Sequence, residues 1–181
     1  MKKIRLLKIS DLFKTGLLTA LLTLIGFAGS AFTVNVQTSA SAGINGATVY
    51  FSPTSTFSSY TTSTTNGSGV ATSPGAGPYY VRVAYNNTTA TTPSATGSDV
   101  TFYTTQVNVH VLKSDGTTPI NGVPAYFATS GGFTTYVVAN TASGVATKEM
   151  FPGTWHFKAT VNNTSSADQP TAVPLAVFAT T

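Results

Sequence analysis

Four stretches of this 181-residue chain occur twice, in the same order and at an almost fixed distance. INGATVYF at 44–51 returns as INGVPAYF at 120–127, and GSGVAT at 67–72 as ASGVAT at 142–147. VAYNNTT at 83–89 returns as ATVNNTS at 159–165, and FYTT at 102–105 as VFATT at 177–181. The offsets are 76, 75, 76 and 75, so the register survives the whole length with slips of one residue. Ordered self-similarity of this kind marks a tandem duplication. Residues 32–105 form the first repeat and 106–181 the second, and any fold must be one that such a short segment can build twice.

Within each repeat the apolar residues recur with period two. Val34 and Val36 alternate with Asn35 and Gln37, and Val107, Val109 and Val111 with Asn108 and His110. Tyr79, Val81, Val83 and Tyr85 share one face against Tyr80, Arg82 and Ala84; Trp155, Phe157, Ala159 and Val161 oppose His156, Lys158 and Thr160. This is the pattern of half-buried strands, and after the leader no stretch carries a helical stripe. Asn45-Gly46, Asn66-Gly67, Asp115-Gly116, Asn121-Gly122 and Gly131-Gly132 supply the left-handed backbone that tight turns need. The expected fold class is all-β: two tandem small Ig-like antiparallel β-sandwiches of about six or seven strands each, after an N-terminal signal or anchor helix. The junction Thr104-Thr105-Gln106 has no Gly or Pro and predicts a short stiff connection. Tyr50, Phe51, Tyr126, Phe127, Trp155 and Phe157 are expected in the core. Phe57, Tyr60, Phe133 and Tyr136 are expected as satellite packing under Ser/Thr/Gly-rich loops.

Residues 1–31 differ in character from the rest. They combine Lys2, Lys3, Arg5, Lys8 and Lys14 with an apolar run from Leu17 to Phe27 and the small residues Ala28-Gly29-Ser30-Ala31. That is the shape of a secretory signal cut after Ala31. An uncleaved anchor is the alternative, since Thr15 to Phe32 carries no charge. Either way the remainder is exported, to the cell surface or beyond, and any membrane contact is through residues 1–31. The chain's formal charge of +4 belongs entirely to this leader. Beyond it Arg82, Lys113, Lys148 and Lys158 balance Asp99, Asp115, Glu149 and Asp168, so a nucleic-acid partner is excluded.

The run DGTTPINGVPAYF, the later SGVAT and then FPGTWHFKATV resemble the bacterial Ig-like domains of invasin-type adhesins and the prealbumin-like carboxypeptidase regulatory-like modules. The first repeat carries the same elements as INGATVYF, GSGVAT and AGPYYVRVAY. The resemblance implies the sandwich architecture and a non-catalytic structural or adhesive role. The similar collagen-adhesin B-type repeats carry an internal Lys to Asn isopeptide bond, for which Lys113 stands near the donor position. Here the pattern breaks: Thr38 occupies the matching site of the first repeat, and 173–181 contains no Asn or Asp. Lys113 is read as a solvated turn residue.

No cofactor, metal site or catalytic centre is expected. There is no cysteine, and the two histidines, His110 and His156, fall on polar faces of different strands with no carboxylate at ligand spacing. An enzyme would need its few acids to converge with one another or with a histidine. The candidate ligand face is Tyr80 with Arg82 in the first repeat and His156 with Lys158 in the second: a ring to stack on a sugar and a cation to hydrogen-bond it. Asn66, Asn86, Asn87, Asn162 and Asn163 each begin an Asn-x-Ser/Thr triplet and are candidate glycosylation sites. Thr and Ser make up 47 of the 150 residues after Ala31. A neutral chain that stays soluble through hydroxyls protects its strand edges poorly. The expected partners are therefore other surface proteins, further copies of itself, or extracellular glycans.

Overall fold

The computed structural model describes residues 30–172 and 175–180. The expected signal or anchor helix lies outside the described residues, apart from Ser30 and Ala31. Ala31–Thr181 form one compact unit, and every regular element described in it is a strand.

Seven strands occupy the first half: β1 (Thr33–Gln37), β2 (Thr48–Ser52), β3 (Thr61–Thr64), β4 (Val70–Thr72), β5 (Tyr80–Tyr85), β6 (Thr88–Thr91) and β7 (Val100–Tyr103). They pair as two sheets, β4-β1-β7 and β3-β2-β5-β6. The second half has β8 (Thr105–Leu112), β9 (Pro124–Ala128), β10 (Val137–Asn140), β11 (Val145–Met150), β12 (Trp155–Val161), β13 (Thr164–Ser165), β14 (Gln169–Thr171) and β15 (Leu175–Ala179). Its sheets are β11-β8-β15 and β10-β9-β12-β13, with β14 also on β12. The strand order of the first half is thus repeated strand for strand, except that β13 and β14 share the place of β6.

The alternation read from sequence decides what is inside. Val34 and Val36 from one sheet meet Val49, Phe51, Val81 and Val83 from the other in a single buried cluster. Val107, Val109 and Val111 meet Ala125, Phe127, Trp155 and Phe157 in the second. Two buried threonines hold matching loops. The Thr65 hydroxyl donates to the Ile44 carbonyl and accepts from the Ala47 amide at 2.6 and 2.9 Å. Thr141 makes the same pair with Ile120 and Val123, at 2.7 and 3.0 Å.

Several expectations need correction. The sheets are not purely antiparallel: β7 runs parallel to β1, and β15 parallel to β8. A strand returning to the edge beside the first one, after crossing between the sheets, arrives in the same direction. Tyr50 and Tyr126 are not core residues, because each sits one residue out of phase with the buried Val49 and Phe51, or Ala125 and Phe127. Gly46, Gly116 and Gly122 have the positive φ expected of them, at 80, 70 and 73°. At Asn66-Gly67 the left-handed residue is instead Gly69, where a Cβ would meet the Val36 carbonyl oxygen at 2.4 Å. Near Gly131-Gly132 it is Phe133, at φ 46°.

Candidate functional site

The outer face of β3-β2-β5-β6 carries the residues that alternation turns away from the core. Arg82 lies opposite Tyr50 in register, and Tyr80 opposite Ser52. The guanidinium of Arg82 stands 4.0 Å above the ring of Phe57. That ring is buried at the end of a Thr-rich loop, where Phe57 adopts φ 53° and its amide donates to the Thr54 carbonyl at 3.2 Å. Tyr60 meets Tyr50 edge to face, with centroids 5.1 Å apart.

The second half repeats this arrangement residue for residue. Lys158 Nζ stands 4.3 Å above Phe133, whose amide donates to the Ser130 carbonyl at 3.2 Å. Tyr136 meets Tyr126 edge to face at 5.2 Å. A bulky residue held in the left-handed region costs about 1–3 kcal/mol, more than the roughly 0.5–1 kcal/mol an exposed cation–π contact returns. The loops accept that cost twice, at equivalent positions.

The sequence-predicted ligand residues therefore do lie on outer sheet faces, but their cations rest on rings the sequence reading had assigned to loop packing. The exposed rings are not those of Tyr80 and His156. They are Tyr60 and Tyr136, 52% and 47% exposed. The signal that could have found them is the spacing Phe57-x-x-Tyr60 and Phe133-x-x-Tyr136 at identical distance from Arg82 and Lys158.

His156 is not an unpartnered strand histidine. Its Nδ1 lies 2.8 Å from Asp168 Oδ2, and the other carboxylate oxygen is enclosed without a hydrogen-bond partner. Gly131 leaves room for the pair, since a Cβ there would fall 2.6 Å from Asp168 Oδ2. An acid and a histidine thus converge where the local sequence showed none. They form a pair and no more: among the described residues no three of His, Cys, Asp or Glu are grouped to hold a metal. His110 points outward from β8, opposite Val145 and Val177. Lys113 is exposed at a turn. In that turn the hydroxyl of Thr118 and the amides of Thr117 and Thr118 hold the Asp115 carboxyl below the usual carboxylate range. Asn66, Asn87, Asn162 and Asn163 are exposed.

Asn86 belongs to a second region, the junction, where sequence reasoning expected a short stiff connection but missed the contacts made across it. Thr104 alone separates β7 from β8. The end of β11 reaches back across it: Glu149 accepts from the amide and hydroxyl of Ser39 at 3.2 and 2.8 Å and from the hydroxyl of Thr104. The Asn86 side-chain amide donates to the Glu149 carbonyl at 2.8 Å, and the Phe151 amide donates to Thr88 Oγ1 at 2.9 Å. Phe151 itself is buried in the first half's core, edge to face with Phe102 at 6.3 Å. Its carbonyl accepts from Trp155 Nε1 in the second half at 3.2 Å. One short segment therefore ties both cores together.

No protein-family model matches the chain, and no curated protein does. Among solved structures the chain is similar to the TIE protein of Bacillus anthracis, at 15% identity and a TM-score of 0.34, over 84% of this chain and 33% of that one. It thus spans about a third of that protein's length. It is also similar to GBS52, the minor pilin of Streptococcus agalactiae, at 13% identity and a TM-score of 0.39, over 84% of this chain and 94% of that one. The shaft pilin SpaA of Lactobacillus rhamnosus GG gives 12% identity and a TM-score of 0.32, over 83% and 96%.

Proposed function

We propose that this chain is an exported, non-catalytic protein of two tandem Ig-like β-sandwiches, with a structural or adhesive role at the cell surface or in the extracellular matrix. The observation that carries the reading is the repeated strand order, joined through one residue and fastened by Glu149 and Phe151. Such a unit presents surfaces and transmits position; it does not assemble a reaction centre. The leader at 1–31 supports export. Edge strands β3, β6, β7, β10 and β15 carry no charged residue, which leaves them open to strand pairing with another protein or another copy. Light scattering on residues 31–181 over a hundredfold concentration range tests the self-associating form of this reading. Growth into oligomers is expected, and a strict monomer at every concentration rules that form out.

The twin tyrosine pairs favour a second reading, a small polysaccharide-binding module. Tyr60 and Tyr136 offer exposed rings, buttressed by Tyr50 and Tyr126, next to a cation in each half. Pull-down on insoluble glycans, with Tyr60→Ala, Tyr136→Ala and Tyr80→Ala compared against the parent, decides it. Retention that all three variants share with the parent removes these faces from glycan binding.

A further inference from the structure

The residues that receive Glu149 and Phe151 at the junction are Ser39, Asn86, Thr88, Phe102 and Thr104. Superposing the two halves by their strand pairing gives the equivalents. Thr104 N–H bonds the Gln37 carbonyl as Thr180 N–H bonds that of Leu112, which aligns Ser39 with Ser114 and Thr104 with Thr180. Phe102 lies opposite Val36 as Phe178 lies opposite Val111. The hairpin tips Asn86-Asn87 and Asn162-Asn163 share the same left-handed pair of residues, which aligns Asn86 with Asn162 and Thr88 with Thr164. All five positions keep the same residue type, whereas the facing strands around them exchange Tyr80 for His156, Arg82 for Lys158 and Val81 for Phe157.

We propose that the end of the second half is a docking socket for a partner protein segment in which an acidic residue stands two positions before an aromatic one. This rests on the reading of the chain as a tandem structural module and names the surface through which it would engage its neighbour. At the junction Thr88 is 4% exposed beneath Phe151, while Thr164 and Asn162 are exposed. The charge also fits. Lys113 replaces Thr38 immediately before the serine that would receive the acid, while Asp115 spends its carboxylate on the hydroxyl and amides of its own turn. Phe178, like Phe102, is buried in the core of its own half.

Residues 32–181 of a second copy are a poor source of the segment, although in the full chain Asp11-Leu12-Phe13 of the leader also carries the pattern. Its free end carries Ser73-Pro74-Gly75-Ala76-Gly77-Pro78 where the second half has Lys148-Glu149-Met150-Phe151, so it offers neither acid nor ring. Asp99, Asp115 and Asp168 are followed two positions later by Thr101, Thr117 and Pro170. Within residues 32–181 the pattern occurs only at Glu149-Met150-Phe151, which is already engaged.

The test titrates a synthetic peptide spanning Thr147–Trp155 into isotope-labelled residues 31–181 and follows the backbone amides by NMR. Saturable shifts are expected at Ser114, Asn162, Thr164 and Thr180. The peptide with Phe151→Ala should bind about thirtyfold more weakly, as loss of a buried aromatic anchor predicts. Asn162→Gly, which keeps the left-handed turn, and Thr164→Val in the protein should weaken binding while the native spectrum persists. No saturable shift at millimolar peptide overturns the proposal, as do shifts confined to Ser39, Asn86 and Thr88, or equal binding of the two peptides. Light scattering on the same sample keeps the two readings apart: oligomer growth without peptide binding sinks the socket and leaves the structural module standing.

Discussion

The two halves share a strand order but differ in how their cores are closed. The second core is built from β8–β15 alone. The first is completed by Phe151, a residue that arrives from the other half. A shared strand order thus does not make the halves equally independent: the first half leans on the second, while the second stands on its own residues.

Removing the borrowed residue is the sharpest way to break that comparison. Phe151→Ala should cost about 3–5 kcal/mol and fall mainly on the first half. Urea unfolding followed at amides of both halves should change from one transition to two, with the first half melting earlier. A single transition shifted as a whole would mean that the halves are coupled through more than this segment. Thr65→Val and Thr141→Val probe what the halves have in common. Each strands a buried amide and carbonyl, and each should cost about 1–3 kcal/mol, by equal amounts in the two halves when measured in urea.

Smaller effects separate the outer faces. Arg82→Ala should cost more than Lys158→Ala, with both losses within about 1 kcal/mol, because a planar guanidinium stacks on a ring where an ammonium only approaches it. The smallest effect belongs to Asp115, whose equivalent in the first half is Ala40. Its folded-state pKa is depressed, chiefly by the Thr118 hydroxyl. Its contribution is therefore present above the unfolded value near 3.8 and lost as pH falls through the folded one. Carboxyl NMR should show it titrating well below that value, and Thr118→Val should move it up.

The strands were legible because one face of each is buried, and burial of alternate residues writes itself into the sequence. Val34, Val36, Val81 and Phe157 were readable for that reason. Tyr50 and Tyr126 were misplaced because an aromatic beside a core residue looks apolar whichever face it occupies. Phe151 was unreadable for another reason: it sits past a strand end, out of phase with any alternation, and its partners Phe102 and Thr88 lie 49 and 63 positions earlier in the chain. The pairing of His156 with Asp168 depends on a crossing between β12 and the segment leading to β14, so no local spacing announces it. The left-handed Phe57 and Phe133 were hidden because turn chemistry points to Gly, not Phe, at such positions.

The parallel pairing of the first strand with the last has a mechanical meaning. In each half the chain enters along one strand and leaves along its neighbour in the same direction, β1 beside β7 and β8 beside β15. Tension applied through the chain pulls the start of one strand and the finish of the other in opposite senses along their common axis. The hydrogen bonds between them are then loaded together, in shear, and cannot be peeled one by one. Resistance to such a load is set by the rate of unfolding, not by equilibrium stability.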